Sequence, residues 1–343
     1  MKRRHVIIPI FVPHKGCPND CIFCNQKKIS GQLEEMTPQM IPEIIESHLA
    51  TIESGAFIET AFYGGSFTAI DRTLQESLLK EAYEYVKSGK VSEIRLSTRP
   101  DCIDDDILEM LKKYGVRTIE LGVQSLDDEV LKASSRGHDA ACVYESAGLI
   151  KGKGFRLGIQ TMTGLPGDTR EKALGTARQV VAISPEIVRI YPVLVIKGTP
   201  LEMLLLNGKY DPMPLDEAVK LSAELLELYE SHDINVIRIG LQATENIRGG
   251  TGSDVVAGPV HPAFRQLVES ELARRRIEKI IEERGLSGSS SLLVKTGASN
   301  ISNVVGQKRS NIEYLRTKYN IGRIKVISSG SSSNEITIKK VVD

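Results

Sequence analysis

The sequence predicts an α/β fold: a partial (β/α)6 TIM-like barrel with a small C-terminal α+β module. Three observations predict it. Short β-rich runs alternate with amphipathic helical stretches through the first 240 residues, the units recur every 30 to 40 residues, and the strand candidates are rich in apolar residues. Apolar strands alternating with helices argue for a parallel sheet buried on both faces. Six such units fit an open barrel. A doubly wound open sheet has the same alternation and stays open as the alternative.

Taken in order, the strand candidates are 5–11, 59–63, 93–97, 118–123, 156–162 and 186–194, and helices are expected at 40–53, 74–88, 104–114, 139–151 and 170–182. Asp or Pro opens several of these helices, and Gly89, Gly115 and Gly152 follow their ends, as capping and stop signals do. A helix at 215–232 and one more strand at 235–241 complete this part. The Gly/Ser-containing stretch 249–259 reads as a boundary, 262–283 as a helix and 285–291 as a flexible hinge. The expected domains are therefore a barrel over 1–245, a linker with its connecting helix over 246–290, and a small module over 291–343.

That module reads as strand 291–296, helices 301–305 and 311–319, then strands 323–327 and 335–340. The order β-α-α-β-β, with Val305-Gly306-Gln307-Lys308-Arg309 between the helices, resembles a KH domain. KH modules clamp a nucleic-acid backbone with a GxxG loop. Here the second glycine is absent, so Gly306, Gln307, Lys308 and Arg309 are the candidate RNA contacts, with the two cations directed at phosphate. A structural cap of similar topology is the alternative.

Composition narrows the function classes. Apolar residues make up 41% and charged residues 26% of 343, as in ordinary globular proteins, and with no Trp the core must come from Ile, Leu and Val. Lys and Arg number 44, as do Asp and Glu, but residues 261–343 hold 15 of the former and 8 of the latter. A basic tail hints at a polyanionic partner or is a solvated face. No apolar run approaches the ~20 residues of a membrane helix. The run 6–12 behind Lys2, Arg3 and Arg4 is broken by Pro9 and lacks a cleavage site, so it is not a signal peptide. A cytoplasmic protein with no membrane partner and no DNA partner is expected.

Five cysteines make no even disulfide framework, and three of them lie within eight residues. Cys17, Cys21 and Cys24, spaced CxxxCxxC just after the first strand, can wrap three thiolates around one face of a cluster. Three ligands leave a fourth iron open. Structural zinc with His14 as fourth ligand is the competing assignment. Phe23, immediately before the third cysteine, is an aromatic able to cover a base.

This motif, with an aromatic before its last cysteine, resembles the signature of the radical S-adenosylmethionine superfamily. Tyr63-Gly64-Gly65-Ser66-Phe67 is similar to the Gly-Gly segment that binds the methionine amino group there. Thr98-Arg99-Pro100-Asp101, Leu121-Gly122-Val123-Gln124-Ser125, Arg136-Gly137-His138, Gly164-Leu165-Pro166-Gly167, Ile190-Tyr191-Pro192-Val193-Leu194 and Lys197-Gly198-Thr199-Pro200 follow in family order. The string resembles the radical domain of the Elongator catalytic subunit, which acts on the wobble uridine of tRNA, and less fully oxygen-independent coproporphyrinogen oxidase.

The resemblance implies a 4Fe-4S cluster on the three cysteines and bound S-adenosylmethionine. Phe11 and Phe23 would flank the adenosine, Gly64, Gly65 and Ser66 would meet the methionine, Gln124 and Arg136 the ribose and carboxylate, and Gln160 the adenine or ribose. It also implies a one-electron reductant of flavodoxin or ferredoxin type and a 5′-deoxyadenosyl radical that takes a substrate hydrogen. Three departures stand out. Ser97 occupies a position where relatives often carry Glu, Elongator's cysteine spacing is wider, and no acetyltransferase segment follows. Outside these motifs, Cys102, His138 and Tyr191 have both packing and substrate-contact readings, and Cys142 reads as core. RNA, and tRNA in particular, is the expected substrate. A porphyrinogen or other small metabolite is the runner-up, and a non-catalytic iron-sulfur RNA-binding protein is the alternative from another class.

Overall fold

The computed structural model describes residues 4–12, 21–25, 36–241, 247, 252–331 and 334–341. Six strands, β1 (His5–Phe11), β2 (Phe57–Tyr63), β3 (Glu93–Thr98), β4 (Val116–Gln124), β5 (Arg156–Thr163) and β6 (Ile187–Pro192), lie side by side in chain order. A two-residue strand β7 (Val195–Ile196) follows, and β8 (Asn235–Ile239) then adds to the sheet beside β6. Every pairing among the seven strands of this sheet is parallel. The sheet curls into the expected partial barrel, with β1 and β8 as its edges.

Helices connect the strands: α1 (Met40–Leu49), α2 (Arg72–Lys87), α3 (Asp105–Lys113), α4 (Asp128–Ala133), α5 (Ala140–Gly152), α6 (Arg170–Ile183) and α7 (Pro200–Leu206), then α8 (Leu215–Glu230). The side chains of Asp71, Asp104, Asp127 and Asp139 each accept the N–H three residues on, satisfying an orphan donor of the first turn. One periodicity builds both barrel surfaces. Ile94, Leu96, Ile119, Leu121, Ile159 and Ile190 point to the face that crossover helices cover, and all are essentially unexposed. Each such burial stabilises the fold by about 1.5–3 kcal/mol. The alternate positions, Glu59, Arg95, Glu120, Gln160 and Arg189, line the inner face, so this barrel has a polar interior.

Several elements differ in detail from expectation. The stretch 186–194 is not one strand. It turns after Pro192, and β7 pairs antiparallel with β9 (Val255–Ala257), inside what reads as a boundary segment. Helix α5 runs through Gly152, and the left-handed residue after it is Gly154.

Two compact units divide the chain: Met1–Pro214 with Tyr229–Val260, and Leu215–Leu228 with His261–Asp343. In the second, α9 (Phe264–Glu283) precedes β10 (Ser291–Thr296), α10 (Ile301–Val305), α11 (Ser310–Tyr319), β11 (Arg323–Ser328) and β12 (Thr337–Val341). The expected β-α-α-β-β order is present. Strand β10 is central, parallel to β11 and antiparallel to β12. Leu292, Val294, Ile324 and Ile338 from one sheet face share a core with Ile277 and Ile281 of α9, Val304 of α10, and Ile312 and Leu315 of α11.

Candidate active site at the carboxyl ends of the strands

Strand β1 ends at Phe11, and the next residue, Val12, donates its N–H to the Tyr63 carbonyl at 2.7 Å. Gly64 turns the chain there at φ +112°, and a Cβ on it would lie 2.6 Å from the Val12 carbonyl oxygen. Only glycine lets the two strand ends lie this close. The ring of Phe11 sits 6.3 Å from that of Tyr63, and Ser66 begins the 3-10 turn Phe67–Ala69. Phe11, Gly64, Gly65 and Ser66 thus share one edge of the barrel mouth.

Of the three candidate ligands, Cys17 lies outside the described residues, as does His14. Cys21 and Cys24 form a turn in which the Cys24 N–H donates to the Cys21 carbonyl at 3.0 Å. Backbone hydrogen bonds tie this turn to the barrel: the Ile22 N–H donates to the Ser134 carbonyl at 3.2 Å, and the Ile22 carbonyl accepts from Leu201 at 2.9 Å. Phe23 packs against the apolar cluster that includes Leu165, Val193 and Leu201.

Two guanidiniums converge on the Cys21 sulfur, which is 5% exposed. Arg136 donates from Nη1 at 3.2 Å, and Arg99 from Nη1 at 3.9 Å. Arg99 is held by Asp101, with two contacts of 2.8 Å, and donates to the Arg136 carbonyl at 2.5 Å. Arg136 also donates to the Gly122 carbonyl. A Cβ on Gly122 would stand 2.9 Å from Arg136 Nη2, so the Leu121-Gly122-Val123-Gln124 motif carries glycine to admit the arginine. Gln124 ends β4 at φ 69°, where the ladder to β5 slips register.

Around this point, among the described residues, four buried polar atoms lack a hydrogen-bond partner: Gln124 Oε1, Ser134 Oγ, Arg136 Nε and His138 Nε2. Orphaned buried polar atoms cost about 1–3 kcal/mol each, and grouped ones mark where a ligand supplies the partners. His138 is pushed down to about 4, first by burial and then by the Arg136 charge, so its ring stays neutral.

Gln160 faces the barrel interior, donating to Glu120 Oε2 at 3.3 Å. Glu120 also takes Arg95 at 3.1 Å and Arg189 Nε at 2.5 Å, while Arg95 bridges on to Glu59 at 2.6 Å. Burial alone would raise Glu120, yet the two guanidiniums hold its carboxyl below the usual range. Tyr63 accepts from Arg189 at 2.9 Å and is pushed up to about 12, by burial and by Glu120. Sequence reasoning left Glu59, Arg95, Glu120 and Arg189 of this network, and Arg99, without roles. The signal was present: single charges between apolar neighbours in Ile94-Arg95-Leu96, Ile119-Glu120-Leu121 and Val188-Arg189-Ile190 place those charges on the inner face. Cys102 lies in the turn after β3, Tyr191 lies near the end of β6 and accepts from Arg189, and Cys142 lies in α5 with its thiol pushed up by burial.

The Radical SAM superfamily model matches residues 11–180, and the Radical_SAM C-terminal domain model matches 185–274. The chain belongs to the radical SAM superfamily. It is similar to the "tRNA uridine(34) acetyltransferase" of Dehalococcoides mccartyi, 26% identical over 71% of this chain and 63% of that one. It is also similar to the uncharacterized protein YtqA of Bacillus subtilis, 30% identical over 62% of this chain and 69% of that one. The fold matches the archaeal Methanocaldococcus infernus Elp3, solved with an N-terminal deletion, with a TM-score of 0.63 at 21% identity, covering 83% of this chain and 64% of that one. The chain thus spans under two thirds of the first of these relatives.

As a radical SAM enzyme it belongs to a family that implies a 4Fe-4S cluster and S-adenosylmethionine. The residues present fit that group: a two-cysteine turn, cationic donors aimed at one sulfur, and orphaned polar atoms beside it. Among the described residues no helix is long and apolar enough to cross a membrane.

Proposed function

We propose that the chain is a tRNA-acting radical SAM enzyme with its cluster on Cys17, Cys21 and Cys24. The observation that carries the site is the convergence of Arg99 and Arg136 on the Cys21 sulfur. Donors this close form the outer shell that orients a metal-binding sulfur and tunes a cluster it holds. When bound, the cluster and S-adenosylmethionine would supply one-electron cleavage to a carbon radical, with electrons from a flavodoxin- or ferredoxin-type donor.

The chain's own residues do the rest. Phe11 and Phe23 border the mouth, and Gly64, Gly65 and Ser66 offer close backbone approach at the methionine end. Gln124 Oε1 accepts from ribose, and Arg136 Nε, without a partner among the described residues, is left for the carboxylate. Gln160 and the Glu120 network wall the chamber. Fixed dipoles there replace water around a reactive centre.

An RNA substrate is supported by the relative whose printed name is a tRNA uridine acetyltransferase, and by the basic tail. Lys308 and Arg309, exposed at the turn between α10 and α11, are assigned to phosphate. The test is to incubate reduced, anaerobic enzyme with S-adenosylmethionine and bulk tRNA from cells lacking the gene, then digest the tRNA and read its nucleosides by mass spectrometry. A changed nucleoside, with 5′-deoxyadenosine formed in step, is expected. Unaltered tRNA with no stimulation of cleavage would move a small-molecule substrate to first place.

A further inference from the structure

The outer face of the C-terminal three-stranded sheet carries one sign of charge. Parallel register sets Arg323 beside Ser291, Lys325 beside Leu293 and Ile327 beside Lys295. Antiparallel register adds Val341, Lys339 and Thr337 to the same three rows. Positions i and i+2 share a face, so Arg323, Lys325, Lys295 and Lys339 stand together opposite the buried Leu292, Val294, Ile324 and Ile338. Arg323, Lys325 and Lys339 are exposed and Lys295 is half-buried. The three strands contain no Asp or Glu.

Several surface cations elsewhere in the chain are paired with carboxylates. Lys153 meets Asp105 and Glu109, Lys172 meets Asp127 and Glu129, and Lys318 meets Glu278, all within 3.2 Å. None of the four sheet cations has a carboxylate within ion-pair distance among the described residues. Lysines on edge strands also block sheet-to-sheet pairing, which would account for Lys325 and Lys339. It does not account for Lys295, which lies on the central strand.

Resting on the RNA reading above, we propose that this sheet face, distinct from the turn Gly306–Arg309, binds the sugar-phosphate backbone of the RNA substrate. Cations two residues apart along a strand stand about 6.6 Å apart and repeat across neighbouring strands, a lattice suited to an extended polyanion. Leu293, Ile327 and Val341 lie between them and cover sugar and base edges without reading them. With no aromatic and no amide on the face, it positions the RNA and does not select its sequence.

The experiment is salt-titrated binding of bulk tRNA by the full chain and by a quadruple variant, Lys295→Ala, Arg323→Ala, Lys325→Ala and Lys339→Ala. Four lost phosphate contacts should lower the slope of log affinity on log salt by roughly 3. A matching variant with the three lysines changed to Arg should keep the wild-type slope, separating charge from folding. If the wild type binds tRNA and the quadruple variant follows the same curve, the sheet is only an edge guard and this inference fails while the RNA reading stands. If the wild type binds no tRNA, both fail. Vesicles of equal parts phosphatidylcholine and phosphatidylserine serve as the second arm. Binding them as tightly as tRNA, with the same dependence on the four cations, would make the face a membrane contact and overturn the assignment.

Discussion

Arg136 meets two demands at once. Its Nη1 donates to the Cys21 sulfur, its Nη2 to the Gly122 carbonyl, and its Nε has no partner among the described residues. Among the described residues Gln124 has no hydrogen bond to Cys21 or Cys24, and its Oε1 is likewise without a partner. The two residues should therefore separate in experiment. Gln124→Ala should weaken S-adenosylmethionine binding about threefold to tenfold, the net value of one neutral hydrogen bond, and leave iron content unchanged. Arg136→Ala should lower both. Equilibrium dialysis with parallel iron assays checks this, and equal effects of the two substitutions on iron would show that the distinction is misplaced. The cysteines, the glycines and both of these residues were legible because each sits in a short motif. Arg99's grip on the sulfur was not, since it depends on Asp101 and the Arg136 carbonyl converging in space.

At the scale of elements, strand and helix order was legible because periodicity is local, and aspartates at helix starts act within one turn. The antiparallel pair β7–β9 was not. Two residues have no period, and their partner lies some sixty positions away. The six-residue α4 and seven-residue α7 are equally too short to show one. The Gly164-Leu165-Pro166-Gly167 turn after β5 has a titratable lock. The Asp168 carboxylate accepts the Gly164 N–H at 2.8 Å, and Tyr210 donates to the Gly164 carbonyl at 2.6 Å. Burial pushes Asp168 up to about 6 from 3.8, although the Gly164 and Thr169 N–H groups pull the other way. Its folded value exceeds its unfolded one, so its contribution to stability is fully present below about pH 3.8 and is lost as pH rises through about 6. Relative to Asp168→Asn, the wild type should gain stability as pH falls from 7 towards 4. Denaturant midpoints for both proteins across that range test it, and a constant difference would show that the carboxyl does not titrate in this window.

For the whole molecule, the barrel gathers the candidate cofactor residues at its carboxyl ends, where a parallel sheet opens its inner surface to ligands. Its polar interior departs from the branched apolar layers of closed barrels, and the Glu59–Arg95–Glu120–Arg189 chain takes their place. The second unit builds its own core around α9 and the three-stranded sheet. Its fold was legible in outline from the strand and helix order, while the basic outer face became visible only when the strand register aligned four scattered cations. On the function proposed above, this chain cleaves S-adenosylmethionine with a cluster held by Cys17, Cys21 and Cys24. The direct measurement is iron content and 5′-deoxyadenosine formation in anaerobically reconstituted, dithionite-reduced protein, beside the triple variant with all three cysteines changed to Ala. About four irons per chain and cofactor cleavage are expected in the wild type, and neither in the variant. Stoichiometric zinc without cleavage, or iron and cleavage retained by the variant, would contradict the account.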